Sequence, residues 1–246
     1  FIAYHRLAAD YDKREAAGIE PARAYIDEIR NLASFEEYAS KIADFELAGK
    51  PTYFPFGVAP DFMDARINVL WADGPGTILP DTTYYAEDHP QKADLLAKWR
   101  KTQEDLLAKF DFAEEEIKDL LDKVLELDAV FAQYVLSSEE SSEYAKLYHP
   151  YKWDDFKALV PELPLADIFT KLIGQEPDQV IVPEERFWQA AKDIYTSANW
   201  DKLHALLILS AVRNTTPYLT DDIRVLAGAY HRALSGTPQA QDKKKA

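Results

Sequence analysis

The sequence predicts a mainly α fold, a multi-helix domain with a small β ribbon around residues 53–71. Three observations carry this prediction. Apolar residues recur at steps of three and four along most of the chain, the spacing that lines one face of a helix. Residues that open or close helices, among them Ser34, Pro183, Gly174 and Gly236, stand where those periodic runs begin or end. Between positions 51 and 80 the pattern changes, and Pro51, Pro55, Pro60, Pro75 and Pro80 gather there with Gly57, Gly74 and Gly76.

Taken in order, Phe1–Ala17 is expected to be helical, with Gly18 ending it in a left-handed cap. Pro21 suits the first position of a second helix that continues through Ala22–Leu32. Ser34 and Glu37 have capping-box spacing, in which each side chain satisfies an exposed backbone N–H of the other. That helix runs to about Ala48, before Gly49. Within 51–80, Tyr53–Val58 and Arg66–Trp71 have strand character. Gly74-Pro75-Gly76 reads as a turn and not as a phosphate loop, because Pro75 lacks an N–H that such a loop needs.

Gln91–Phe110 places Leu95, Trp99, Leu106 and Phe110 along one helical stripe. Ala113–Leu136 gives the clearest helix. Its residues Ile117, Leu120, Leu121, Val124, Leu127 and Phe131 face one way, while Glu114, Lys118, Asp122 and Glu126 face the other. Ser137–Ser142 is polar and reads as a turn. Trp153–Val160 and Leu165–Ile173 are short helices, the second closed by Gly174. Gln179–Val182 is extended. Pro183 then starts a helix whose first turn holds Glu184 and Glu185, at the end where the helix dipole is positive. Asn199–Arg213 is apolar nearly all round at its centre and is expected to be buried. Thr220 caps a last helix, Asp221–Leu234, which Gly236 ends. With no repeat and no linker, 1–246 reads as one domain, with 51–80 as a β-containing insert and 237–246 as a frayed tail.

Composition narrows the function. The chain has 246 residues, 47% hydrophobic and 29% charged, enough to bury a core and stay in solution. A formal net charge of −15 argues against a nucleic-acid partner, since phosphates repel such a surface. The lack of cysteine excludes disulfides, thiolate zinc sites and cysteine nucleophiles. It fits a cytoplasmic protein, with secretion or the cell surface as the alternative. No apolar run reaches the roughly 20 residues that a membrane span needs. The sequence begins at Phe1 and not at Met, which reads as a start inside a longer chain.

The sequence offers no catalytic and no metal-binding residues. A zinc peptidase helix needs two histidines one turn apart, with a glutamate beside the first to activate water on the metal. His5, His89, His149, His204 and His231 offer no such pair, and none is followed by Glu. The Gly-x-Ser-x-Gly elbow and the phosphate-cradling Gly-x-x-x-x-Gly-Lys loop are absent. Glu114-Glu115-Glu116 and Glu139-Glu140 sit at helix starts or turns, where negative charge is favourable in any case. Tyr84, Tyr85, Tyr148, Tyr151, Trp153, Phe187 and Trp188 could line a peptide cavity, but core packing is the default reading.

Several segments carry a resemblance. Gly76-Thr77-Ile78-Leu79-Pro80-Asp81-Thr82-Thr83-Tyr84-Tyr85 resembles the Leu-Pro-x-x-x-Tyr-Tyr signature of neprilysin-type zinc endopeptidases, with Thr82-Thr83 where many members have Arg-Asp. Pro55–Leu70 resembles the β ribbon that precedes it. Tyr148-His149-Pro150 with Trp153–Pro161, then Val180-Ile181-Val182-Pro183, then Pro217-Tyr218-Leu219-Thr220 resemble later landmarks in the family's order. The bacterial endopeptidase O type is the nearest likeness. The resemblance implies a helical domain that faces a catalytic domain of the same polypeptide across a central cavity and admits short peptides. It implies zinc in the parent enzyme, held by motifs that this sequence does not contain, and no activity for this part alone. It implies a structural role for Leu79, Pro80, Tyr84 and Tyr85. The competing readings are a stand-alone helical module that binds peptides or proteins, and a degenerate enzyme that kept a peptide-binding cleft.

Overall fold

Residues 10–237 and 239–241 are described by the computed structural model, and among them are twelve α-helices and a four-stranded sheet. Helix α1 (Tyr11–Ala17) starts where the Asp10 carboxylate accepts the Lys13 N–H at 3.1 Å. The rest of the expected first helix, residues 1–9 with His5, lies outside the described residues. Gly18 has φ 57° but ψ −131°, so it swings the chain away and does not form the left-handed cap the sequence suggested. Helix α2 (Glu20–Arg30) carries Pro21 in its first turn and buries Ala22, Ile26 and Ile29. Helix α3 (Phe35–Leu47) has half of the expected capping box. Ser34 Oγ accepts the Glu37 N–H at 3.2 Å, but the Glu37 carboxylate takes the Ala33 N–H at 2.8 Å in place of that of Ser34. The extended backbone of Ser34, φ −157° and ψ 166°, leaves the preceding N–H as the donor within reach.

Strands β1 (Phe56–Pro60) and β2 (Asn68–Ala72) form the antiparallel ribbon, with Val58 opposite Leu70. The first begins later than the apolar run because Tyr53 stands at φ 45°, which no strand accommodates. Helix α4 (Lys92–Ala108) and helix α5 (Glu114–Tyr134) follow their stripes. Ser137–Ser142 is more than a turn. A complete capping box between Ser137 and Glu140 winds it into a single helical turn, α6 (Ser138–Ser141).

Strand β3 (Pro150–Lys152) was not legible as a strand, and leads directly into α7 (Trp153–Lys157). Helix α8 (Leu165–Ile173) ends at Gly174, which is left-handed at φ 84°. Strand β4 (Gln179–Ile181) is followed by α9 (Glu185–Ala190), which starts at Glu185 and not at Pro183. Helix α10 (Trp200–Thr215) buries Leu203, Leu206, Leu207, Leu209 and Val212.

The expected last helix is two, α11 (Asp221–Ala227) and α12 (Ala229–Ser235). At the break, Arg232 Nη2 donates to the Val225 carbonyl at 2.6 Å, the acceptor a continuous helix would give to Ala229. A β-carbon at Gly228 would lie 2.5 Å from Arg232 Nη1, so glycine leaves room for this guanidinium. Thr220 opens α11 by position, but its hydroxyl bonds the Asp222 carboxylate and not a backbone N–H.

The ribbon is extended into a sheet of order β1-β2-β4-β3. Strand β4 lies parallel to β2, with Leu70 beside Val180, and antiparallel to β3. One face of β2 and β4, Leu70, Ala72 and Val180, enters a core cluster whose residues run from Ala22 to Tyr230. The other face, Val69, Trp71 and Ile181, forms a small second cluster. In the main core Trp188 is fully buried, and its Nε1–H donates to the carbonyls of Ala72 (3.0 Å) and Asp73 (2.9 Å) where β2 ends. Each such buried aromatic contributes roughly 2–3 kcal/mol from area alone.

Three tyrosine hydroxyls hold the irregular chain on either side of the ribbon. Tyr38 donates to the Thr52 carbonyl, Tyr195 to that of Tyr53 at 2.7 Å, and Tyr230 to that of Ile78 at 2.9 Å. Helix α1 buries none of its residues. A clasp secures it: Arg14 Nη2 donates to the carbonyls of Pro217 (2.6 Å) and Leu219 (3.1 Å), and the Glu15 carboxylate accepts the Asp221 N–H at 2.9 Å.

Candidate functional site

The stripe of α5 contains one polar intruder. Asp128 follows Val124 by four residues and precedes Phe131 by three, so helical geometry points it into the core, where it is 5% exposed. A buried carboxylate needs donors, and the signature segment supplies them. The Ile78 N–H donates to one oxygen at 2.7 Å and the Tyr85 hydroxyl to the other at 2.5 Å. Tyr85 O in turn accepts the Leu79 N–H at 3.1 Å through its hydroxyl, closing a small ring of bonds. Burial pushes the Asp128 carboxyl up to about 6, against the opposing effect of these two hydrogen bonds. Burial, then the charge and hydrogen bond of Asp128, raises the Tyr85 hydroxyl, and burial with Asp128 raises that of Tyr230 to about 12.

The structure therefore brings one of the four signature residues, Tyr85, onto Asp128, and a second, Leu79, onto the Tyr85 hydroxyl. Leu79 is buried, while Pro80 is exposed. Tyr84 turns aside and packs on the His89 ring at 4.1 Å between centroids. Between them Asp81 caps the short 3-10 turn Thr82–Tyr85. Its carboxylate accepts the Thr83 hydroxyl and N–H and the Ser138 N–H, which hold it well below the usual carboxylate range. The Gly74-Pro75-Gly76 run is an irregular passage and not the turn expected.

Beside Asp128 opens a cleft of about 470 Å³ between α4, α5, α10, α12 and residues 76–78. Trp99, Phe131 and Leu209 give it apolar walls. Gln103, 1% exposed, lies in its buried part, and its Oε1 has no hydrogen-bond partner among the described residues. Arg213 and His231 are exposed and stand at its rim. Asp128, Gln103 and Arg213 were not singled out in the sequence. A carboxylate on the apolar face of α5 was the available signal for the first.

Among the described residues, two histidines each meet a backbone carbonyl. His149 Nδ1 lies 3.1 Å from the Val182 carbonyl, and His204 Nε2 lies 2.8 Å from that of Ile29. Burial lowers the His204 pKa, and its ring stacks on Trp200 at 4.7 Å. Among the described residues no three His, Cys, Asp or Glu side chains are grouped to hold a metal ion, and these residues do not fit a zinc centre. Among them, too, no helix is long and apolar enough to cross a membrane. The remaining aromatics named from the sequence are structural in their contacts. Tyr148 donates to Asp61, Tyr151 to Glu185 and Trp153 Nε1 to Glu176, while Phe187 and Trp188 are fully buried.

The order of landmarks, the helical architecture and the fastened signature segment all point one way. Residues 2–246 match the profile of peptidase family M13, and the chain belongs to that family. This bears out the likeness to neprilysin-type endopeptidases of the endopeptidase O kind. Over all 246 residues the chain is 96% identical to a Streptococcus gordonii protein named as a zinc metalloproteinase, of which it covers 44%. It is 34% identical over 245 residues to a neutral endopeptidase of Lactococcus lactis subsp. cremoris, covering 39% of that protein. The crystal structure of PepO from Lactobacillus rhamnosis HN001 superposes with a TM-score of 0.91 at 26% identity, over 98% of this chain and 38% of the other. The chain thus spans less than half the length of these relatives.

Proposed function

We propose that this chain is the helical, non-catalytic part of a zinc metalloendopeptidase, a lid that restricts the entry of peptides to a catalytic domain of the same polypeptide. The observation that carries the proposal is its 96% identity, end to end, with a protein named as a zinc metalloproteinase of which it spans 44%. Zinc and the groups that activate water on it belong, in this reading, to the part of the relatives that the chain does not span. A lid must move as a rigid body, and the continuous cluster from Ala22 to Tyr230 supports treating the chain as one unit. The role assigned to Leu79, Pro80, Tyr84 and Tyr85 is structural: they fix the segment that Asp128 fastens. Short peptides are the substrates of the whole enzyme.

The test compares this chain with the longer protein. The longer protein should contain about one zinc per chain by elemental analysis and cleave quenched fluorescent peptides while sparing folded proteins. The 246-residue chain should do neither. Tight zinc binding or peptide cleavage by the chain alone would overturn the proposal, and a longer protein without zinc would favour a stand-alone binding module.

A further inference from the structure

The sheet has an apolar face that the main core does not cover. Val69 and Trp71 point to the side of β2 away from that core, and Ile181 of β4 stands beside Trp71. Ile67, whose carbonyl accepts the Asp61 N–H at 3.0 Å, continues that side two residues further toward the end of the ribbon. The cover over this face is thin. The ring of Phe62 lies 4.6 Å from that of Trp71 and 6.3 Å from that of Tyr148 between centroids. Phe62 is itself 55% exposed, Ile67 49% and Met63, at the tip of the ribbon, 78%. Of the nine large apolar side chains that stand exposed among the described residues, three thus fall within six consecutive positions. Apolar residues exposed singly are ordinary, but a group of them marks a contact surface.

The ribbon leaves no unpaired charge exposed between residues 56 and 72. Asp61 is buried, and its carboxylate accepts the Tyr148 hydroxyl at 2.9 Å and the Met63 N–H at 2.8 Å. Asp64 and Arg66 pair with each other at 2.7 Å. Charge also separates the occupants that an apolar tip suits. A second copy brings its own net charge of −15, and a surface of anionic lipids repels the chain in the same way. The remainder of the polypeptide is attached. It makes up more than half of the 96% identical relative, and an attached partner docks without the loss of free translation that separate molecules suffer. We propose that Phe62, Met63 and Ile67 form a docking seat for the remainder of the polypeptide, which meets them with an apolar, uncharged surface. This rests on the reading of the chain as part of a longer peptidase. A contact of three side chains is small enough to part and rejoin, as a lid that opens and shuts requires.

Met63 is the chain's only methionine, so its oxidation to the sulfoxide reports on the seat directly. Hydrogen peroxide is added to the 246-residue chain and to the longer protein, and the peptide containing Met63 is followed by mass spectrometry. Met63 should oxidise at least fivefold more slowly in the longer protein. Met63→Asp should leave the thermal unfolding temperature of the 246-residue chain unchanged, because the side chain is exposed, yet enlarge the radius of gyration of the longer protein in X-ray scattering. Equal oxidation rates, or a radius that the substitution does not move, would sink the inference. So would a dimer of the 246-residue chain in sedimentation, or its flotation with phosphatidylglycerol vesicles, if Met63→Asp abolished either. If the longer protein hydrolyses peptides while Met63 reacts as fast as in the chain alone, this inference alone falls. If Met63 is protected and the longer protein holds no zinc and cleaves nothing, the seat stands and the reading of the enzyme falls.

Discussion

Asp128 occupies a place where the stripe of α5 would otherwise put a leucine or valine, and the helix accepts it because two donors from a distant segment meet it. Its carboxyl is raised to about 6 in the folded chain, against roughly 3.9 in an unfolded one. The folded state therefore binds the proton more tightly. The group contributes stability that is fully present below about pH 4 and is lost as pH rises through 6. Asp128→Asn keeps an oxygen for the Ile78 N–H and removes the titration. Unfolding free energies from urea melts should show the variant gaining on the native chain by about 2 kcal/mol between pH 4 and 7. A constant difference across that range would refute this account. At this scale the sequence was informative about one partner only. The signature drew attention to Tyr85, and a polar residue on an apolar stripe marks Asp128. Their pairing joins residues 43 positions apart, which no periodicity encodes.

Among the elements, those with a long stripe and plain end signals were legible: α3, α5, α8 and α10 lie close to their expected spans. The errors have local causes. Strand β3 is three residues long and is a strand because β4 lies beside it, a tertiary cause invisible in Pro150–Lys152. The split between α11 and α12 follows from a side chain, Arg232, that competes for a helix carbonyl. The passage through Gly74 looked like a turn because of its composition, but glycine is needed there for closeness. A β-carbon on Gly74 would lie 2.8 Å from Glu184 Cγ, and the Glu184 carboxylate accepts the Leu136 N–H at 2.8 Å just beyond α5. Gly74→Ala should cost about 1–3 kcal/mol by overpacking, read as a lower urea midpoint. Gly57→Ala, on β1 with nothing within 4 Å of the new carbon, should stay within about 0.5 kcal/mol. Similar losses for the two would show that closeness at Gly74 is not the cause.

For the molecule as a whole, the sequence conveyed the class and the order of parts but not their assembly. That β4 inserts beside β2, and that Trp188 closes the end of β2, depend on contacts between halves of the chain. Because the core runs through both halves, we expect one cooperative thermal transition, with far-ultraviolet circular dichroism and tryptophan fluorescence tracing the same curve. Two separated transitions would divide the chain into independent units.

The clasp between Arg14, Glu15 and residues 217–221 gives the assembly a mechanical order. Helix α1 has no buried side chain to extract, so a force drawing it outward is borne by these polar bonds first. They join residues about two hundred positions apart, and so tie this edge to the start of α11. When they yield, α1 peels away at small cost while the core beneath stays whole. The clasp works as a mechanical fuse, releasing at one edge before tension reaches the buried aromatic centre.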